Sequence, residues 1–147
     1  MRRNVKNSLS AVFSAQSENE SLARVMAAGF LLPHPVTAEE LADIKTALSE
    51  AVTNAIAHGY REMEGGRVKV DFCLFCDGRV RITVTDHGHG IEDVERAREP
   101  FFTTDRAHER GGMGFSIMET FMDRVRVKSV LGRSTRVVLE KRLSLWK

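Results

Sequence analysis

Apolar residues recur at two different spacings along this chain, and the switches between them mark its elements. Residues 8–14, Ser-Leu-Ser-Ala-Val-Phe-Ser, read as a first strand. Ser17-Glu18-Asn19-Glu20 has the form of a capping box, an acid three residues after a serine, and predicts a helix to about Leu32, where Pro33 and Pro35 stop it. Thr37-Ala38-Glu39-Glu40 has the same form and predicts a second, longer helix ending near His58-Gly59. Leu41, Ile44, Leu48, Ala51 and Ala55 recur along it at helical spacing and make its buried stripe. Strand alternation returns at 67–76 and 79–86, with Asp77-Gly78 as the hairpin turn between them. Residues 87–112 carry glycine and charge with little periodicity, which predicts a long loop of the kind that often serves as a lid. A helix from about Met113 to Asp123 follows, then strands near 124–131 and 135–142 that pair around Gly132. The order β-α-α-β-β-loop-α-β-β predicts an α+β two-layer sandwich, a mixed and mostly antiparallel sheet covered on one face by helices.

The length of 147 residues, 42% hydrophobic and 29% charged, fits a single domain, 1–147, around one core. No apolar run approaches the roughly 20 residues of a membrane span, and Met1-Arg2-Arg3-Asn4 leads into no signal-peptide stretch, so a cytoplasmic protein without membrane contact is expected. Net charge is +2 but uneven: from Arg124 onward, Arg124, Arg126, Lys128, Arg133, Arg136, Lys141, Arg142 and Lys147 face a single acid, Glu140. Most of these bases alternate with valines at strand period and lack interleaved aromatics, so a solvated sheet face is expected rather than a nucleic-acid footprint. Cys73 and Cys76 form a C-x-x-C inside a strand-like run, where side chains three apart point to opposite faces; two unpaired thiols are expected.

Three segments carry candidate chemistry. Glu50, Asn54 and His58 step by four along one face of the second helix, on the flank of its buried stripe. Burying a carboxylate and an amide there unpaired would cost on the order of 1–3 kcal/mol each, so they either sit at a rim or look into a cavity. Asp86 continues the apolar parity of Val80, Ile82 and Val84, which turns its carboxylate toward the helix layer. A buried Asp needs donors, of which the exocyclic amine of adenine is one, and Gly88 and Gly90 follow where backbone can approach a flat ring. The alternative for Asp86 is a glycine-rich turn capped by its own aspartate. Arg110-Gly111-Gly112-Met113-Gly114 runs into a helix N-terminus, whose amides and dipole suit phosphates. There is no G-x-x-x-x-G-K-[ST] and no glycine fingerprint in a βαβ context, so neither a P-loop nor a Rossmann site fits.

In this order the three segments resemble the GHKL superfamily of ATP-binding domains (the Bergerat fold), with Glu50 and Asn54 matching its N box, Asp86-x-Gly88-x-Gly90 its first glycine box and Gly112-x-Gly114 its second. Ser49-Glu50-Ala51-Val52-Thr53-Asn54-Ala55-Ile56 with His58-Gly59-Tyr60, Pro100-Phe101-Phe102-Thr103-Thr104, and Gly112 to Glu119 look like the N-box helix, lid and lid-end helix of the bacterial anti-sigma serine kinases. Ser17 to Ser21 with Arg24 is similar to the sporulation branch of that family, and the resemblance runs from about residue 8 to 140.

The resemblance implies ATP and Mg²⁺ as cofactors. It implies that Asn54 coordinates the metal and that Glu50 is the general base toward a serine hydroxyl. It implies that Asp86 binds the adenine amine with Gly88 and Gly90 beside it and Thr135 as helper. Gly112, Met113, Gly114 and Phe115 would cradle phosphates through backbone amides, while Thr104 and Arg110 contribute from the lid. It further implies a homodimer that sequesters a sigma factor, phosphorylates an anti-anti-sigma protein on serine, and uses Arg24 for partner contact. Ser134 stands where a glycine is common before the threonine, Gln16 where relatives are often basic, and Thr104 to Arg110 diverges from the pattern. Other readings are a nucleotide-gated sigma-binding module without useful catalysis, an anti-sigma kinase of a stress pathway, the detached catalytic domain of a histidine kinase, and a DNA-binding role for the basic C-terminal strands.

Overall fold

The computed structural model describes residues 4–60, 65–99 and 114–146. In chain order its elements are β1 (Val5–Ser14), α1 (Asn19–Leu31), α2 (Ala38–Asn54), a π-helical turn (Ala55–Gly59), β2 (Arg67–Phe75), β3 (Arg79–Asp86), α3 (Val94–Ala97), α4 (Gly114–Phe121), β4 (Arg124–Val130) and β5 (Ser134–Arg142). The strands form a five-stranded sheet in the order β1-β2-β3-β5-β4, and each of its four pairings is antiparallel. The expected α+β sandwich is present, with a sheet more uniformly antiparallel than the expected mixture.

Period-two alternation decides which sheet face is covered. Val68, Val70, Phe72 and Leu74 on β2, Val80, Ile82 and Val84 on β3, and Val137 and Leu139 on β5 are buried, while the residues between them are mostly less so. They meet Ala23, Ala27, Phe30 and Leu31 of α1, Ile44, Ala47, Leu48, Ala51 and Val52 of α2, and Phe115 and Met118 of α4 in one apolar cluster. Each fully buried valine, leucine, isoleucine, phenylalanine or methionine side chain among them contributes about 1.5–3 kcal/mol. The rings of Phe30 and Phe72, 5.5 Å apart and tilted, fix α1 on the sheet.

The two expected capping boxes have different outcomes. Thr37 caps α2 as expected: its hydroxyl accepts from the Glu40 amide at 3.0 Å and the Glu40 carboxylate accepts from the Thr37 amide at 3.1 Å. The other Glu40 oxygen accepts from the Ser144 amide at 2.8 Å, tying the chain end to the start of α2. Burial alone would raise the Glu40 pKa, but the Ser144 and Thr37 hydrogen bonds outweigh it and hold the carboxyl below its ordinary value. No such box closes α1. The helix starts at Asn19, its cap residue Glu18 has helical backbone angles and no capping side chain, and the Glu20 carboxylate accepts instead from the Ser49 hydroxyl on α2 and pairs with Arg24. A tertiary partner has taken the acid that the local motif would have used.

The open sheet face carries Arg124, Arg126 and Lys128 of β4 and Arg136 and Arg142 of β5. Glu140, buried among them, meets Arg126 at 2.6 Å, Arg79 at 3.7 Å and Arg81 at 3.8 Å. Lys141, one residue on, faces the helices and donates to the Phe121 carbonyl at 2.7 Å, a cation at the negative end of α4. Cys73 lies within β2 and Cys76 just past its end; both thiols are free, and burial raises the Cys73 pKa while Arg81 pulls it down. No helix among the described residues is long and apolar enough to cross a membrane.

Candidate functional site

The second helix is α-helical only as far as Asn54. From Ala55 to Gly59 it widens into a π turn, and the Tyr60 amide closes that turn on the Ala55 carbonyl at 3.1 Å. Such turns are rare and recur at functional sites. This one re-aims the chain so that Tyr60 turns inward. The buried Tyr60 hydroxyl donates to the Arg67 carbonyl at 2.5 Å and accepts from the His87 amide at 2.7 Å. One side chain thereby ties the end of the Glu50–Asn54 helix to the residue after Asp86. The loop of residues 87–112 is not structureless where it is described: α3 lies within it, capped by the Asp93 carboxylate on the Arg96 amide at 3.1 Å. Arg98 then reaches Glu119 on α4 and the Val125 carbonyl at 3.1 Å.

Asp86 ends β3 on the helix-facing side, where the sequence pattern put it, and is 3% exposed. Its Oδ1 accepts from the Gly88 amide at 3.0 Å. Burial raises its pKa above the ordinary carboxylate value, and the Gly88 hydrogen bond and nearby His87 reverse only part of that. Both the buried carboxylate and the aspartate-capped turn of the sequence reading are present together. Thr135 sits directly opposite Asp86 on β5 and is also buried. Beyond Gly88, Gly90 has a φ of 74° and lies against the β4–β5 turn: a Cβ there would fall 2.4 Å from the Val130 carbonyl oxygen, so only glycine fits. The Gly132 amide donates to the His89 carbonyl at 2.6 Å and holds the two turns together.

Glu50 is buried, at 7% exposed, and Asn54 is half-buried one turn later on the same face. The rim alternative is thus excluded for Glu50. His58 falls in the π turn rather than on a continuing α-helical face. Asn54 meets the start of α4: a Cβ on Gly114 would lie 3.0 Å from its Nδ2 and 3.2 Å from its Oδ1. The amides of the first turn of α4, that of Phe115 included, lie at the positive end of the helix, and the Phe115 ring packs into the core. Of the expected site residues, Thr104, Arg110, Gly112 and Met113 lie outside the described residues, as do the other lid residues from Pro100. Arg24 is on the exposed side of α1, 3.3 Å from Glu20 and donating to Ser21 at 3.2 Å.

Three segments distant in sequence therefore converge: Asn54 on Gly114, and the chain beyond Asn54 on His87 through Tyr60. Two contributors had no assigned role in the sequence reading. Tyr60 stood in the helix motif, and its signal was an aromatic residue directly after a helix-ending glycine. Ser129 became visible only through its register partner, Thr135.

Comparison with known proteins supplies the family. Residues 13–141 match the family described as the histidine kinase-like ATPase domain. An anti-sigma F factor of Geobacillus stearothermophilus is 50% identical over 93% of this chain and 93% of its own length. One of Clostridium botulinum (strain Eklund 17B / Type B) is 44% identical over 95% of this chain and 97% of its own. Among solved structures, one of the RsbU and RsbW domains of a Mycobacterium tuberculosis protein shares the fold over part of its length, with a TM-score of 0.69 and 24% identity over 94% of this chain and 33% of that one. The chain belongs to the histidine kinase-like ATPase domain family, in its anti-sigma F factor branch.

Proposed function

We propose that this chain is a single-domain, Mg²⁺-ATP-dependent protein-serine kinase that also acts as an anti-sigma factor. It holds an RNA polymerase sigma factor of the sporulation sigma-F type inactive, as a homodimer in the cytoplasm. It resets the switch by phosphorylating an anti-anti-sigma protein on serine. It touches neither nucleic acid nor membrane directly. What supports this reading is the approach of Asn54 to Gly114 at the start of α4, together with the Tyr60–His87 hydrogen bond that brings the end of the same helix to the residue after Asp86. The names of the relatives supply the sigma-binding half.

The residues present suit Mg²⁺-ATP. A buried carboxylate at the end of β3 accepts from an amino group on the base, and the amides opening α4 receive phosphate oxygens. The Asn54 amide oxygen is a hard, neutral ligand of the sort that takes one site on an ion that keeps much of its water. When bound, the metal supplies charge neutralisation for phosphoryl transfer, which depends mainly on positioning and electrostatics. Glu50, one helical turn from Asn54, accepts the proton of the incoming serine hydroxyl as general base. Thr104, Arg110, Gly112 and Met113 contribute contacts from the lid and second glycine box. Arg24, held by Glu20, offers a charged contact to the partner proteins.

The test is transfer of radiolabelled phosphate from ATP to the cognate anti-anti-sigma protein. The wild type should transfer, and Glu50→Ala should bind ATP and sigma factor but transfer at least about a hundredfold more slowly. Full transfer by that variant would remove Glu50 from the mechanism. Absence of transfer by the wild type would reduce the protein to a binding module.

A further inference from the structure

Strand parity on β5 would place an apolar residue at position 141. Thr135, Val137 and Leu139 are buried on the helix-facing side, and the next residue on that side is Lys141, opposite Val80 of β3. Its side chain is 13% exposed, and a cation placed there needs partners. Its Nζ donates to the carbonyl of Phe121, the last residue of α4, at 2.7 Å. It also lies 3.9 Å from the carboxylate of Asp43, in the second turn of α2. The backbone beside Lys141 is held at the same place: the Asp123 amide donates to the Glu140 carbonyl at 2.9 Å, and the Asp123 carboxylate accepts from the Arg142 amide at 2.7 Å.

The helices α2 and α4 therefore run antiparallel and are joined at both ends. At one end Asn54 meets Gly114; at the other Lys141 links Phe121 to Asp43. From Gly114 to Phe121 is about 10 Å of helix, too short to bend appreciably, so a shift along the axis at one end is carried to the other. The site end tolerates little of it. A Cβ on Gly114 would lie 3.0 Å from Asn54 Nδ2, so tenths of an ångström decide how the carboxamide and the first amides of α4 face one another.

We propose that Lys141 is a positioning residue for nucleotide binding: from the far end of both helices it sets how far α4 lies along α2, and with it the alignment of Asn54 with the amides that open α4. This role rests on the nucleotide reading above and adds to it a residue of the sheet that touches none of the ligand. Apolar packing of Phe115 and Met118 holds α4 on the core but is non-directional. The Lys141 hydrogen bond and ion pair fix the helix along its axis. Methionine in place of Lys141 keeps a long unbranched side chain but removes the donor from Phe121 and the cation from Asp43. The core then stays filled while α4 is free to move along α2.

The experiment is a set of calorimetric titrations of the full chain with Mg-ATP, with thermal melts confirming folding. The wild type, Lys141→Met, Lys141→Arg, Gly114→Ala and the double variant Gly114→Ala/Lys141→Met are compared. Lys141→Met should weaken Mg-ATP binding about threefold to tenfold, the scale of one weakened polar contact. Lys141→Arg, which can still donate to Phe121 and pair with Asp43, should stay close to wild type. Substitutions about 10 Å apart that share no partner add in free energy, so their fold-changes multiply. Here they should not: without Lys141, α4 can yield to the methyl of Gly114→Ala, and the double variant should bind little worse than Lys141→Met. Affinity unchanged in a folded Lys141→Met or Gly114→Ala, equal loss in Lys141→Arg, or fold-changes that multiply in the double variant would overturn the role of Lys141 while leaving nucleotide binding intact. Failure of the wild type to bind Mg-ATP would overturn the nucleotide reading and this role with it.

Discussion

Replacing Gly114 by alanine should move stability and ligand binding in opposite directions. Gly114 opens α4 with a backbone that other residues adopt, so alanine removes conformational freedom from the unfolded chain at no local strain. That alone is worth about 0.4–1 kcal/mol, a rise of roughly 1–4 °C in melting temperature for a chain of this size. The new methyl, however, would lie 3.0 Å from Asn54 Nδ2 and 3.2 Å from Oδ1. The carboxamide must give way by a few tenths of an ångström, which it can do by turning about its side-chain torsions. Weakening one polar contact costs about 0.5–1.5 kcal/mol, so a shift of this size should weaken Mg-ATP binding roughly twofold to tenfold. Calorimetric titration with Mg-ATP and a melt of the nucleotide-free protein read the two effects separately. Binding equal to wild type would show that Asn54 does not touch the bound metal–nucleotide. A loss of binding that merely tracks a loss of stability would show that the methyl damages the fold instead.

Two further substitutions separate the roles of neighbouring groups. The raised pKa of Asp86 means that its contribution to the stability of the nucleotide-free protein is full below the unfolded pKa and is lost as pH rises through the folded one. Asp86→Asn, which keeps an oxygen for the Gly88 amide, should therefore stabilise the nucleotide-free protein at neutral pH and remove that step from its stability–pH profile, while reducing ATP affinity at least about tenfold; destabilisation at neutral pH would contradict the burial argument. In the wild type, ATP affinity should fall as pH drops through the Asp86 pKa, because the carboxylate accepts from an amino group more strongly than the neutral acid does. Tyr60→Phe leaves the His87 amide and Arg67 carbonyl without their shared hydroxyl, so denaturant unfolding should show a loss of about 1–2 kcal/mol together with weaker ATP binding. An unchanged midpoint would remove Tyr60 as the tie between the second helix and the first glycine turn.

Much of this arrangement was legible in the sequence because it is encoded by short-range pattern. Ile44, Leu48 and Ala51 along α2 and Ala55 at the start of the π turn are buried as their spacing implied, with Leu41 packed at the edge of the same cluster. Thr37 and Glu40 close the box that their types suggest, and Asp86 faces the helices by strand parity. What could not be read depends on partners distant along the chain. Glu20 fits a local cap, but Ser49, twenty-nine residues on, draws its carboxylate away. The π turn at Ala55–Gly59 inserts no special residue type, so a helical pattern runs through it unmarked. β1 begins at Val5 rather than at residue 8, because its pairing with β2 runs out to Phe75 past an irregularity between Val5 and Asn7. At the site, the residue types of the glycine boxes were visible, whereas Ser129 carries no motif. It is recognisable only once the register sets it beside Thr135.

The central claim is that the ends of α2 and β3 and the start of α4 form one nucleotide site. Amide hydrogen exchange with and without Mg-ATP tests it most directly. Saturating Mg-ATP should slow exchange together in residues 54–60, 86–91 and 114–118, and Asn54→Ala should reduce the protection in all three. Protection confined to one segment, or none at a concentration that saturates a binding signal, would contradict it.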